Sequence, residues 1–158
     1  GLHSLADVAR TSARFINRPL GSGTRVLLDD LLAQASMDPE SIVGYALNEP
    51  SHTAIAQAVA AGAADVGMGI ELAARARGLE FVPLVHERYH LACLKASLDQ
   101  PATLALRTLL QTPEWLAHMT TLPGYTAWHC GEVQAMSTVL PWWQFARKKR
   151  ASTPRKKP

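Results

Sequence analysis

Cysteines and long apolar runs are scarce in this chain of 158 residues, and each scarcity excludes a class of protein. Two cysteines, Cys93 and Cys130, cannot form the disulfide framework that holds many small secreted domains together. No apolar run approaches the roughly 20 residues that a membrane-spanning helix requires. The N-terminus also lacks the basic and apolar regions of a signal peptide. We therefore expect a cytoplasmic protein with two reduced thiols and no membrane partner.

Motifs of common enzymes and nucleotide-binding proteins are missing too. The chain has no G-x-S-x-G, no P-loop with its lysine and no G-x-G-x-x-G after a predicted strand. We accordingly expect a protein that binds a ligand, uses no cofactor and is not an enzyme. Because the chain begins with Gly1 instead of Met, we expect it to be a piece of a longer chain or a processed one.

Charge is distributed unevenly along the chain. Residues 147–158 hold seven of the sixteen basic side chains and no acidic one. Residues 1–146 therefore carry nine basic against thirteen acidic side chains, a net charge of −4. The composition predicts one globular domain over residues 1–146, followed by a basic disordered tail over residues 147–158.

A glycine-rich turn between an apolar run and an amphipathic helix is the feature around which the chain is organised. Residues 14–17 are typical of a buried strand, and leucines recur at helical spacing through residues 22–36. The turn, Gly21-Ser22-Gly23-Thr24, then lies at the N-terminus of a helix. Backbone N–H groups have no intrahelical partner there, and the helix dipole is positive.

The residues of this turn are suited to an anion. Gly23 lets a ligand approach the backbone, and Ser22 and Thr24 add hydroxyl donors. Arg18 and Arg25 bring guanidinium groups, which match the geometry of oxyanions. We interpret the turn as an anion-binding site, and the simpler alternative is that Ser22 only caps the helix.

A second helix start has a similar composition. Ser51 and His52 follow another predicted strand, so both helices could begin at one sheet edge and share a ligand. The alternative is that Ser51 is a simple N-cap and His52 a surface imidazole. Gly67 and Gly69 end a further strand, where they could admit a ligand or allow a helix to pack closely.

Alternation of apolar segments predicts the fold class. Strands and helices that follow one another in turn are typical of an α/β domain with a parallel or mixed sheet flanked by helices. Strands are predicted at residues 14–17, 42–47, 63–70, 81–85 and 89–94, and helices at residues 2–9, 22–36, 51–61, 71–77, 104–110 and 113–120.

Several of these segments resemble one family. The chain is similar to type II periplasmic-binding-protein-like domains, of the kind fused to winged-helix regulators related to molybdate-responsive repressors or to molybdopterin-biosynthesis proteins. The resemblance extends from Leu5 to Trp143. Its motifs are Arg18, Gly21 to Arg25, the following Leu-Leu-Asp, Ala54 to Gly69, GLEFVPL, Glu87-Arg88-Tyr89, Pro123-Gly124-Tyr125 and Leu140-Pro141-Trp142.

The resemblance implies a function. It suggests a domain, mostly one lobe of the binding-protein fold, that senses molybdate, tungstate or a molybdenum-cofactor-related compound for a bacterial transcriptional regulator. DNA would be contacted only by a winged-helix domain outside this chain. A solute-binding protein of an oxyanion transporter is an alternative. By position, Arg18, Ser22, Gly23, Thr24 and Arg25 would form the anion turn, with Ser51 and His52 opposite.

One motif is typical of a different class of protein, the zinc-dependent hydrolases. His86-Glu87-Arg88-Tyr89-His90 matches H-E-x-x-H, in which two histidines on one helix face bind zinc. A zinc metallohydrolase is therefore an alternative function. However, Pro83 and the β-rich flanks favour a strand, in which residues four apart are separated by roughly 13 Å.

The apolar strand predicted at residues 89–94 also bears on assembly. Unpaired strand edges recruit partners, and regulators that bind paired half-sites are commonly dimers. We expect a homodimer with contacts in this region and in the helices after Thr103.

Overall fold

The computed structural model describes residues 1–143, in which helices predominate. The predicted helices form, with ends displaced by a few residues. No helix of residues 1–143 combines the length and apolarity needed to cross a membrane. The elements are α1 (Leu5–Thr11), β1 (Phe15–Ile16), α2 (Gly23–Gln34), α3 (His52–Ala60), β2 (Val66–Gly67), α4 (Glu71–Arg75), α5 (Pro101–Leu110), α6 (Pro113–Thr121) and α7 (Met136–Val139), with 3₁₀ turns at Pro39–Ser41 and Lys95–Ser97.

β1 lies at the centre of the α/β unit. One edge of β1 pairs in parallel with β2. Residues 42–48 run along its other edge, where the N–H of Phe15 donates to the carbonyl of Val43 at 2.8 Å and that of Asn17 to Leu47 at 2.9 Å. These segments are consistent with the predicted α/β class and its parallel strands, whereas the description of the domain as mostly one lobe stays a prediction.

The two faces of β1 are covered by different helices, because successive strand residues point to opposite sides. Phe15 is only 2% exposed and packs with Leu28 and Leu32 of α2. Ile16 packs on the other face with Ile55 of α3. A helix–sheet–helix sandwich results, and it holds the start of α2 and the start of α3 beside the sheet.

The strands predicted at residues 42–47, 81–85 and 89–94 do not form. Residues 42–47 make consecutive turns instead, because Gly44 has a φ of +87° and the N–H of Leu47 donates back to its carbonyl. Residues 81–85 and 89–94 have no strand partner within residues 1–143. A strand needs a second strand to satisfy its main chain, so β-rich composition alone did not produce one.

Burial is concentrated in the first half of the chain. Within residues 1–143, every buried side chain lies at or before Ala64. Leu91 and Leu94 are 75% and 77% exposed. The predicted domain boundary at residue 146 and the predicted tail at residues 147–158 lie outside the described residues.

Candidate ligand-binding site

The carboxyl ends of three parallel segments meet at one edge of the sheet. β1 leads into Arg18, the segment beside it leads into Ser51, and β2 leads into Gly69. α2 and α3 both begin at this edge, on opposite faces of β1, so the N-terminal N–H groups and positive dipole ends of both helices lie at the same edge. This is the position at which open α/β sheets bind ligands.

Ser22 and Ser51 cap these two helices. The Ser22 hydroxyl accepts from the N–H of Arg25 at 3.3 Å and donates to the carbonyl of Pro19 at 2.9 Å. The Ser51 hydroxyl accepts from the N–H of Ala54 at 3.0 Å. The capping interpretation is confirmed at both positions, and ligand binding by the two hydroxyls stays a prediction.

Arg18 and His52 contribute nitrogen atoms that are buried and unpaired. Arg18 Nε and His52 Nδ1 have no hydrogen-bond partner among residues 1–143. The main-chain N–H of Arg18 donates to Oδ1 of Asn17 at 2.8 Å, and the fully buried Asn17 amide in turn donates to the carbonyl of Tyr45. A buried polar group without a partner costs about 1–3 kcal/mol. An acceptor atom supplied by a ligand would remove that cost.

The electrostatic environment of His52 links it to a distant segment. Burial lowers the pKa of His52, the Arg18 charge lowers it further, and Glu87 raises it. Gly69 lies next to the ring, since a Cβ added there would be 3.6 Å from His52 Nδ1. His52 is therefore half-buried and subject to the charges of Arg18 and Glu87, not the surface imidazole of the simpler interpretation.

Gly23 and Thr24 are the first two residues of α2, and the space beside Gly23 is free of other atoms. A Cβ added to Gly23 would meet no atom within 4 Å. Thr24 lines the cavity described below. Gly21 differs, because its φ of +84° requires a glycine for conformational reasons. The positive φ therefore explains why residue 21 is a glycine. At position 23, neither the backbone conformation nor packing requires one.

Arg25 has partners other than those expected of an anion-binding side chain. Its Nε donates to Asp29 Oδ1 at 2.9 Å, and its guanidinium stacks over the ring of Tyr45 at 4.2 Å. The Tyr45 hydroxyl donates to the same carboxylate. The Arg25 side chain is 11% exposed. Arg25 thus joins α2 to the turns at residues 42–48, and we leave it out of the proposed site.

Three residues distant in sequence also reach the strand ends, although our sequence-based site did not include them. These residues are Glu87, Tyr89 and Tyr125. Desolvation raises the pKa of Tyr89. Glu87 and Tyr125 raise this pKa further, whereas the Arg18 charge lowers it. The turn before Tyr125 packs on α4, because a Cβ on Gly124 would lie 2.7 Å from the Glu71 Cβ. The resemblance motifs that contain these residues were the sequence signal that could have identified them.

A cavity of about 1560 Å³ connects the strand ends with the second half of the chain. Its lining is mainly apolar and includes Thr24, His52, Gly69, Glu87 and Tyr125. The structure therefore brings His52 and Thr24 to one cavity, while Ser22 and Ser51 serve as caps.

The H-E-x-x-H motif does not form a zinc site of the protease type. Residues 80–93 contain no helix, so His86 and His90 do not share a helix face. No group of three or more His, Cys, Asp or Glu side chains within residues 1–143 is arranged to hold a metal ion. Glu87 is instead an electrostatic neighbour of His52.

A comparison with models of protein families identifies the family of this α/β unit. A model described as a PBP superfamily domain, that is, a periplasmic-binding-protein-like domain, matches residues 1–111. The chain belongs to this family. The match covers the α/β unit and both helix starts at the sheet edge. The resemblance drawn from the sequence is thereby confirmed for the family, whereas the regulator and the molybdate context stay predictions. No solved structure shows significant similarity to this chain.

The chain is also similar to two curated relatives. The chain is 35% identical over 127 residues to the uncharacterized protein YvgK of Bacillus subtilis, a match covering 80% of this chain and 41% of that relative. It is 31% identical over 109 residues to an uncharacterized protein in the 5′ region of a 2Fe-2S ferredoxin gene of Clostridium pasteurianum, which covers 68% of this chain and 96% of that relative. The chain therefore spans about two fifths of the first relative and nearly all of the second.

Proposed function

We propose that this domain binds a small anionic ligand at the carboxyl edge of its sheet and catalyses no reaction. The observation that carries the proposal is the pair of buried, unpartnered nitrogens, Arg18 Nε and His52 Nδ1. They lie at the edge where the positive ends of two helices begin.

The ligand class follows from the donors. A guanidinium and helix N-terminal N–H groups donate, and an imidazole donates from whichever nitrogen carries the proton, so together they favour oxygen-rich anions. Molybdate, tungstate and molybdenum-cofactor-related compounds are the candidates that the family resemblance suggests. Arg18, Gly23, Thr24 and His52 form the proposed site, with Ser22 and Ser51 setting the two helix starts.

The cellular role we propose is effector sensing in a bacterial cytoplasmic transcriptional regulator. DNA would be contacted by a winged-helix domain outside this chain. The longer Bacillus relative supports this arrangement, since 59% of its length lies beyond the match and leaves room for further domains.

Titration calorimetry with molybdate, tungstate, sulfate and phosphate tests the proposal. We expect Arg18→Gln to weaken binding about 10- to 100-fold, the effect of losing one charge-assisted hydrogen bond. Arg77→Gln is the matched control, because Arg77 is an exposed arginine just after α4. Binding that is equally strong in both variants would place the site elsewhere. An absence of binding to all four anions and to organic phosphates would overturn the function.

A further inference from the structure

A carboxylate lies in the cavity beside the donors of the proposed site. Glu87 lines the same cavity as Thr24 and His52, and its charge acts on His52. The Glu87 side chain is exposed, so a ligand in the cavity can reach it. None of the ion pairs within residues 1–143 includes Glu87. Arg18 and Glu87 therefore both act on His52 without pairing with each other.

The segment that carries Glu87 is held by a side-chain contact and not by main-chain pairing. Residues 80–93 make no main-chain hydrogen bond within residues 1–143. The Arg88 guanidinium lies over the Trp128 ring, 4.3 Å from its centroid. A cation over the face of a Trp ring is attracted to it. Because Arg88 follows Glu87 directly in the chain, this contact restrains the backbone that presents the carboxylate.

Trp128 is in turn fixed by its own loop and by α5. Its ring meets the His129 imidazole edge-on, with the two ring centroids 4.1 Å apart. Gly131 of the same loop packs on the end of α5, since a Cβ added there would lie 2.8 Å from the carbonyl oxygen of Arg107. Arg88 therefore rests on a ring whose loop is packed against a helix.

The chemistry of a carboxylate determines which anions it favours. An ionised carboxylate only accepts hydrogen bonds. It repels sulfate, molybdate and tungstate, because their oxygens are also anionic acceptors without a proton. An anion that carries an O–H or N–H group can instead donate to the carboxylate, and such charge-assisted hydrogen bonds are among the strong ones. Glu87 is thus able to separate anions by whether they carry a donor.

We propose that Glu87 is a specificity-determining residue that makes the site prefer anions with a hydrogen-bond donor, and that Arg88 and Trp128 position it. This inference rests on the proposed function and narrows its ligand class. A ligand beside Thr24 and His52 directs its charge toward the helix start and donates its O–H or N–H group to the Glu87 carboxylate. Hydrogen phosphate has such a donor, whereas sulfate, molybdate and tungstate do not.

Two matched pairs of anions test the preference in calorimetric titrations of the full chain. Hydrogen phosphate and sulfate share a tetrahedral shape and, at mildly alkaline pH, the same charge, but only hydrogen phosphate carries a proton. Glycolate and acetate form an organic pair, in which only glycolate has a hydroxyl group. We expect the donor-bearing anion to bind about 10-fold more tightly than its partner. The pair that binds more tightly shows whether the ligand is an inorganic or an organic acid.

Glu87→Gln tests the carboxylate itself. An amide can donate as well as accept, so this variant should bind sulfate about 10-fold more tightly than the wild type and lose most of the preference for hydrogen phosphate. Glu114→Gln is the matched control, because Glu114 is an exposed glutamate of α6 that does not line the cavity. The control should keep the wild-type preference.

Substitutions of Trp128 test the positioning pair. Trp128→Leu removes the ring beneath Arg88, whereas Trp128→Phe keeps an aromatic face. The ratio of phosphate to sulfate affinity should fall about 3- to 10-fold in Trp128→Leu and less in Trp128→Phe. A merely structural role would weaken both anions alike and leave the ratio unchanged. Thermal unfolding checks that the variants stay folded.

The outcomes are distinguishable. If the wild-type chain binds both anions of each pair equally well, or if Glu87→Gln leaves the preference unchanged, Glu87 does not determine specificity and the proposed function stands. A wild-type ratio in Trp128→Leu would contradict the positioning role. If the wild-type chain binds none of these anions and no molybdate or tungstate, the proposed function fails and this inference with it.

Discussion

The side chains at the carboxyl edge of the sheet fall into two groups. Some stabilise the fold, and others are available to bind a ligand. The hydroxyls of Ser22 and Ser51 are occupied as caps, and Arg25 is paired with Asp29. Arg18 Nε and His52 Nδ1 lack partners in the described chain. Substitutions in the first group should change stability, and those in the second should change binding.

Glycine substitutions in the anion turn separate conformation from ligand contact. Gly23→Ala should leave thermal stability unchanged or raise it slightly, because the added methyl meets no atom. It should weaken anion binding by crowding the first turn of α2. Gly21→Ala is the matched control and should cost about 1 kcal/mol of unfolding free energy, because its φ is positive. Unchanged affinity in Gly23→Ala, measured by calorimetry, would place the anion away from this turn.

The pKa of His52 predicts a pH dependence. Because burial and Arg18 lower this pKa in the folded state, the unfolded chain binds the proton more readily, and acidification below about pH 6.5 should destabilise the free protein. A bound anion raises the pKa of the ring, so affinity should increase over the same pH range. Unfolding and calorimetric measurements at about pH 8 and about pH 5.5 test both effects. Persistence of both effects in His52→Gln would assign them to another group.

At the scale of elements, the sheet edge depends on how closely α3 and β2 approach. Gly67 permits that approach, since a Cβ there would lie 2.5 Å from Cγ2 of Ile55 and 3.0 Å from the carbonyl oxygen of Ile16. The same contact sets how closely α3, whose first residue is His52, lies to the sheet. A side chain at position 67 would push the helix from the sheet.

Gly67→Ala should therefore lower the unfolding free energy by about 1–3 kcal/mol through overpacking. Chemical denaturation measures the loss, and Gly23→Ala serves as the control because it adds the same methyl group in open space. Adding Ile55→Ala to Gly67→Ala should cost less than the sum of the two single changes, because it removes the clashing methyl. Strict additivity would contradict this explanation.

Arg14 and Asp65 fix β1 against β2 at their starts. Hydrogen bonds from the side chain and main chain of Arg14 hold the pKa of Asp65 at about 2, below its ordinary value of 3.8. The depressed pKa means that this pair contributes stability above about pH 4 and loses it as the pH falls toward 2. Asp65→Asn should weaken that acid sensitivity in denaturation curves, whereas Asp30→Asn on the exposed side of α2 should not. Identical acid profiles in the two variants would refute the assignment.

At the scale of the whole molecule, the two halves of the described chain differ in how they are stabilised. The buried core lies between residues 8 and 64, and residues 80–93 have neither buried side chains nor main-chain partners. Within the second half, Glu87 acts electrostatically on His52, and Tyr125 lines the same cavity as His52. Ligand binding at the sheet edge should therefore also stabilise this second half.

Limited trypsin digestion should reveal that difference. Within residues 1–143 we expect the first cut after Arg88, because its segment is exposed and unpaired. Cleavage should become slower when an anionic ligand is bound. Mass spectrometry identifies the cut. First cleavage after Arg14 or Arg25, inside the α/β unit, would contradict this distribution of stability.

Local features could be predicted from the sequence because they depend on neighbouring residues. Helix periodicity placed the helices, the hydroxyls of Ser22 and Ser51 marked two helix starts, and the motif order identified the binding-protein-like family. Gly23 and Thr24 were assigned to a helix N-terminus for the same local reason.

Only the tertiary structure decided which distant groups meet. Residues 81–94 have β-rich composition but no strand partner, since pairing depends on another segment and not on propensity. Arg25 lies near the turn in sequence, yet Asp29 and Tyr45 bind its side chain. Glu87 is remote in sequence, yet its charge acts on His52. Spacing along the chain determines caps and helix faces, whereas the partner of a charge is determined by packing between elements.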